Sequence, residues 1–198
     1  MIFIDLKLPS PYSELKYIDV SKDGVANKKI DIACKYLEKE KIDLDEFSED
    51  LDKTLLQTTI NHPEFSDALL CLRCRVSHPI VEKVKVIYSK FREKYELDLK
   101  DMLINVLDDS GEVFLRVTNK SNEAIKRQPV TWNTLVESSN KQIRPFTADI
   151  IYSFDSKLSG LSTWAKNKVQ ANSELKKYLR SCGLLLITPW ALIADSTP

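Results

Sequence analysis

The sequence predicts a mainly α fold, a multi-helix orthogonal bundle, on three observations. Apolar residues recur at helical spacing along most of the chain, as in Leu69, Leu72 and Val76, then Ile80, Val84, Ile87 and Phe91. Only four glycines occur in 198 residues, so tight β-turns are scarce. Period-two alternation is confined to Ile2, Ile4, Leu6 and Leu8 and to Val113, Leu115 and Val117. At most a short strand or extended segment is therefore expected near the N-terminus and at 112–117. A chain of this length can bury a real core as one large domain or two small ones.

Residues 1–24 read as one edge strand or an ordered arm, broken by prolines and a Lys22-Asp23-Gly24 turn. A first helix is expected from Val25 to about Glu40, with Ile30, Ala33, Cys34 and Leu37 on its apolar stripe. A second runs from about Asp45 to Ile60 through Phe47, Leu51 and Leu55. Pro63 suits the first turn of a third, because its missing N–H is not needed there; this helix carries Phe65, Ala68, Leu69, Leu72 and Val76. Pro79 is expected to break the chain, since the residue before a proline avoids the α region. A fourth helix then runs from Pro79 to about Tyr95, and Asp98 caps a fifth holding Met102, Leu103 and Val106.

Asp108 to Gly111 reads as a turn, and the polar, aperiodic stretch after it as a linker. The expected organisation is an N-terminal helical part at 1–117, a linker or exposed loop at 118–130, and a C-terminal helical part at 131–198. In the last part, helices are expected at about 132–139, 147–154, 162–170 and 173–181. Ser162 or Thr163 is the expected N-cap of the third, and Gly183 closes the fourth. An apolar run at 184–187 and a helical turn opened by Pro189, with Trp190, follow. Leu69, Leu72, Val84, Ile87, Phe91, Leu103, Ile150, Phe154 and Leu179 are the expected core.

Charge is balanced over the whole chain, 29 basic against 29 acidic residues, so no global basic bias announces nucleic acid. It is uneven along the chain, acidic between Asp31 and Asp52 and basic between Lys141 and Arg180. That asymmetry fits either a nucleic-acid face or two ordinary solvated helix faces. Four cysteines without a signal-like opening imply a reducing cytoplasm. No stretch approaches the roughly 20 apolar residues needed to span a membrane, so a cytoplasmic, membrane-free chain is expected.

Cys71, Cys74 and His78 share one helical face, with His62 upstream, and zinc accepts such ligands. Structural zinc pairs usually sit on tight turns, whereas this pair is mid-helix, where cysteine acts as a small buried apolar residue. No metal and no cofactor are expected. There is no Gly-rich phosphate loop and no Gly-x-Ser-x-Gly turn, and the two histidines each adjoin a proline. The chain is not expected to be an enzyme.

The stretch 148–165 is the most informative. An apolar helix end ending in Phe154-Asp155 passes through a polar turn to Gly160, then Leu161-Ser162-Thr163-Trp164-Ala165 opens a basic helix. This order resembles the second conserved region of bacterial RNA polymerase sigma factors, over about residues 143–195. It is closest to sigma-like proteins of cyanobacteria, with Leu72-Arg73-Cys74, Ser77-His78 and the 189–193 segment as further points of likeness. The 143–149 segment departs from the family's polymerase-docking helix, and Asn167 and Val169 stand where its aromatics would be. With no promoter-reading helix-turn-helix at its C-terminus, the chain is expected to be a fragment of a longer sigma-like protein or a shortened paralogue.

The resemblance implies a transcription regulator whose C-terminal half binds promoter or single-stranded DNA, RNA polymerase core, or both. Trp164, Lys166, Lys168, Lys176, Lys177 and Arg180 are the expected nucleic-acid-binding residues. The lysines would neutralise phosphates, while Trp164 either stacks on an unpaired base or packs between the two helices. The alternative is a helical protein–protein interaction module without DNA contact.

Overall fold

The computed structural model describes residues 10–19, 24–40, 49–107, 114–116, 127–129, 131–137 and 144–185. They form a mainly α fold built around one long helix. In chain order the elements are α1 (Ser10–Ser13), β1 (Glu14–Asp19), β2 (Gly24–Lys29), α2 (Asp31–Lys39), α3 (Glu49–Asn61), α4 (Asp67–Phe91) and α5 (Leu99–Ile104). Then come β3 (Phe114–Arg116), β4 (Arg127–Pro129), α6 (Trp132–Glu137), α7 (Phe146–Tyr152), α8 (Leu161–Ala171) and α9 (Ser173–Ser181).

Helix α4 is the axis, and α1, β1, α2, α3, α5, α7 and α8 all pack against it. Its buried stripe runs Leu69, Leu72, Val76, Ile80, Val84 and Ile87. The sequence placed two helices here, broken at Pro79; the structure has one, with Pro79 inside it. A proline in a helix interior costs about 3 kcal/mol. Val76 and Ile80, both fully buried beside it, each contribute about 1.5–3 kcal/mol by leaving water. Burial on both sides of the proline therefore outweighs the break.

The Pro79 turn also receives the β1–β2 hairpin, whose antiparallel register runs from Glu14↔Lys29 to Asp19↔Gly24. The Ser13 carbonyl accepts from Ile30 N–H, so odd-numbered backbone groups of this segment face β2. Even-numbered groups face α4: Lys16 N–H donates to Ser77 Oγ (3.0 Å), and His78 Nε2–H donates to the Glu14 carbonyl (2.8 Å). The helix thus satisfies a strand edge that would otherwise be left open. Val25, expected to begin a helix, lies in β2 instead; α2 starts only at Asp31, after this pairing ends.

The third expected helix does not start at Pro63. Residues 62–66 form a turn, α4 opens at Asp67, and Phe65 falls outside the stripe with 64% of its surface exposed. Helix α5 is capped as expected, the Asp98 side chain accepting from Asp101 N–H at 2.9 Å. The strand alternative at 112–117 is realised as β3, but it pairs antiparallel with β4, inside the stretch expected to be a linker. Of the expected core, Phe91 is only half-buried against it, and the rest are buried.

One buried cluster joins Leu55, Leu72 and Leu103 to Leu135, Ile150, Leu161 and Leu179, on both sides of residues 118–130. Helix α9 ends in a Schellman motif. Gly183 takes φ +82°, its N–H donates to Arg180 O, and Leu184 N–H donates to Leu179 O. Leu179 and Leu184, the positions that usually make an apolar contact in this motif, are both buried in the core. The expected turn at 108–111, most of the 118–130 linker, and the segment at 186–198 with Trp190 lie outside the described residues.

Candidate nucleic-acid interface

Helices α7 and α8 meet through the turn at 153–160, and Trp164 holds that turn in place. The last carbonyls of α7 have no partner within the helix. Ser153 N–H and Oγ take Asp149 O, Phe154 N–H takes Ile151 O, and the Trp164 indole N–H donates to Ile150 O at 3.2 Å. Neither Ser162 nor Thr163 caps α8. Gly160 is the N-cap with no side-chain bond, and Trp164 N–H already closes on Gly160 O. Leu161, fully buried, draws the helix start one residue earlier than expected.

The six expected contact residues are not one uniform face. Trp164 is half-buried, and the Lys168 ammonium, one turn on, sits 4.9 Å from its ring centroid. Lys166 is two residues from Lys168, hence on the opposite flank of α8. Its Nζ lies 3.0 Å from Glu82 Oε2 on α4. On α9, Lys177 bonds Glu174 at 2.8 Å, and that ammonium holds the Glu174 carboxyl below its usual range. Lys176 is half-buried, Arg180 is exposed, and neither is in an ion pair among the described residues.

A second basic group was missed. At the C-terminal end of α4, Lys90 lies 5.3 Å from the Phe91 centroid, Arg92 5.8 Å from Tyr88, and Lys94 5.7 Å from Tyr95. The signal is the run Tyr88-Ser89-Lys90-Phe91-Arg92-Glu93-Lys94-Tyr95, in which basic and aromatic residues alternate closely. Gly183 lies against this group: a Cβ there would sit 3.8 Å from Tyr95 Cδ1. Tyr178 Oη, which accepts from Asp98 N–H at 2.8 Å, fastens α9 to the start of α5. The C-terminal ends of α4 and α9 therefore lie together, with Lys90, Arg92, Lys94 and Arg180 around them.

The cysteine–histidine group behaves as core. Cys34, Cys71 and Cys74 are buried, the Cys71 thiol lies 3.9 Å from Ala33 O, and burial pushes its pKa well up. His78 is spent on Glu14, and burial pulls its pKa down. His62 stands in the turn beside Phe65, ring centroids 6.3 Å apart. Among the described residues no three His, Cys, Asp or Glu side chains come close enough to hold a metal. None of their helices is long and apolar enough to cross a membrane.

No protein-family model, curated protein or solved structure matches this chain. The sigma-factor likeness rests on the residues quoted above.

Proposed function

We propose that this chain is a sigma-factor-like transcription protein that binds single-stranded or forked promoter DNA, and RNA polymerase core with it, through its basic helices. The observation that carries this reading is the meeting of two basic segments far apart in sequence. Residues 161–181 hold five cations (Lys166, Lys168, Lys176, Lys177, Arg180) against one acid, Glu174, in a chain that is neutral overall. The C-terminal end of α4 adds Lys90, Arg92 and Lys94 beside them. A local excess of cations on α8 and α9 of a neutral molecule attracts a polyanion and releases its counterions on contact.

The test is a salt titration of binding to a labelled single-stranded oligonucleotide. Affinity should fall as salt rises. Replacing Lys168, Lys176 and Arg180 together with alanine should flatten the log–log slope by about 2, three contacts at about 0.7 each. An unchanged slope, or no salt-dependent binding by the intact chain, ends the reading.

A helical protein–protein interaction module is the second reading. It is favoured by the indole of Trp164 being engaged within the fold, and by the apolar side chains of Leu158 (72% exposed) and Phe65 standing in water. RNA polymerase retained by the immobilised chain, with no DNA affinity, would select it.

A further inference from the structure

We infer that Glu82 is a built-in competitor for the DNA backbone, holding Lys166 back from a phosphate for as long as its carboxylate is charged. This rests on the nucleic-acid reading above. The Lys166–Glu82 contact is short (3.0 Å) and joins two helices, α8 and α4, rather than neighbours on one. It is also open to water, with the Lys166 side chain 35% exposed and that of Glu82 62% exposed. A pair with this exposure contributes little to folding, so exchanging the carboxylate for a phosphate leaves the fold as it was.

Lys166 has nothing else to do in the fold: its ammonium makes no other hydrogen bond or ring contact among the described residues, whereas Lys168 rests on Trp164. Lys83 and Lys85 follow Glu82 within one turn of α4. A single carboxylate among cations lowers the local positive potential and reserves one of them. In the wild type, Lys166 therefore counts little among the phosphate contacts that set the salt dependence. Once Glu82 is neutral it counts fully.

The experiment is a double-mutant cycle on the full chain, Glu82→Gln and Lys166→Ala singly and together, with binding to the same labelled single strand followed from low to high salt. Glu82→Gln should steepen the slope by about 0.7, one added phosphate contact, and tighten binding at low salt. In the Lys166→Ala background, Glu82→Gln should leave the slope where it was. A slope unmoved by Glu82→Gln overturns the inference while leaving the wild-type DNA affinity, and so the functional reading, intact. An equal effect of Glu82→Gln with and without Lys166 also overturns it, since the glutamate then acts through the general field. Absence of binding by the wild type and by Glu82→Gln alike defeats both readings. Unchanged thermal melts across the set show that the variants fold.

Discussion

At the middle of α4, Ser77 and His78 each hold one backbone group of β1 in partly buried hydrogen bonds; at its C-terminal end, Lys90, Arg92 and Lys94 lie over aromatic rings in the open. The first region spends polar groups on one arrangement of the chain. A buried donor or acceptor left unmatched costs about 1–3 kcal/mol, so this end of the molecule is specified by its hydrogen bonds. The second has two ammonium groups and a guanidinium whose water is only partly removed, and whose contacts are individually weak. The middle of the helix fixes the fold, and its C-terminal end keeps charge available to a partner.

Substitutions should widen that contrast in proportion to burial. Ile80→Ala, beside Pro79, should have the largest effect, a loss of about 2–5 kcal/mol in a denaturant titration. The proline makes this position more sensitive than an equivalent one elsewhere, because burial is what holds the helix through it. A loss below that of Ile87→Ala, one helix segment further on, would show that the turn is held by other means.

Asp52→Ala should come next. This carboxylate is 3% exposed, accepts from Tyr12 Oη at 2.8 Å, and lies 3.5 Å from Arg75 Nε, so it ties α1, α3 and α4. Removing it strands the Tyr12 hydroxyl, at about 1–3 kcal/mol. Tyr12→Phe on top of Asp52→Ala should recover part of the loss, since the Tyr12 hydroxyl is then no longer stranded. Failure of that rescue would assign the cost to the other contacts of Asp52, Arg75 among them.

The His78 contact predicts a pH dependence. Burial pulls the folded-state pKa of this imidazole below its ordinary value near 6.5, so the folded chain binds fewer protons than the unfolded one between those two values. Above about pH 6.5 both states are neutral at His78 and its pKa difference contributes nothing to stability. Below that, the unfolded chain takes up protons first, and stability falls as pH drops. Melting temperature recorded from pH 8 downward should decline in the wild type below about 6.5, and less steeply in His78→Gln. Parallel curves would remove His78 from the account.

What was legible in the sequence divides along the same line. Helices with a local stripe and a local cap were readable: Asp98 opening α5 and Gly183 closing α9 act within a few residues of themselves. The continuity of α4 through Pro79 was not, because its cause is burial against elements remote in sequence. The hairpin was half-read for the same reason, as the groups that satisfy β1 lie 61 and 64 residues away. At the candidate site, the position of Trp164 in the first turn of α8 was legible, while its role in capping α7 depended on where Ile150 O would point. The Lys166–Glu82 pair was invisible without the α4–α8 packing. Lys90, Arg92 and Lys94 stood in plain view among Tyr88, Phe91 and Tyr95, but only the apolar stripe of this helix was singled out.

Trp164 stands between the two regions, and the smallest predicted effect belongs to it. Its indole N–H is engaged on Ile150 O, and its ring carries the Lys168 ammonium. Trp164→Phe keeps an aromatic ring but removes the donor. The loss should be about 0.5–1.5 kcal/mol, the net contribution of one such hydrogen bond, because the buried Ile150 carbonyl keeps a second donor in the Ser153 hydroxyl, 3.5 Å away. Lys168 should also be held less firmly, since indole is the best ring for a cation. The two roles of Trp164 then separate in a binding measurement. If the ring only caps α7, Trp164→Phe lowers the melting temperature slightly, and the affinity for single-stranded DNA stays as it was. If a base stacks on the ring, affinity falls on going to phenylalanine, and falls further, by about 1–3 kcal/mol in all, in Trp164→Ala. A loss of affinity in Trp164→Ala that matches its loss of stability, with the affinity of Trp164→Phe unchanged, would place this residue wholly on the structural side of the comparison.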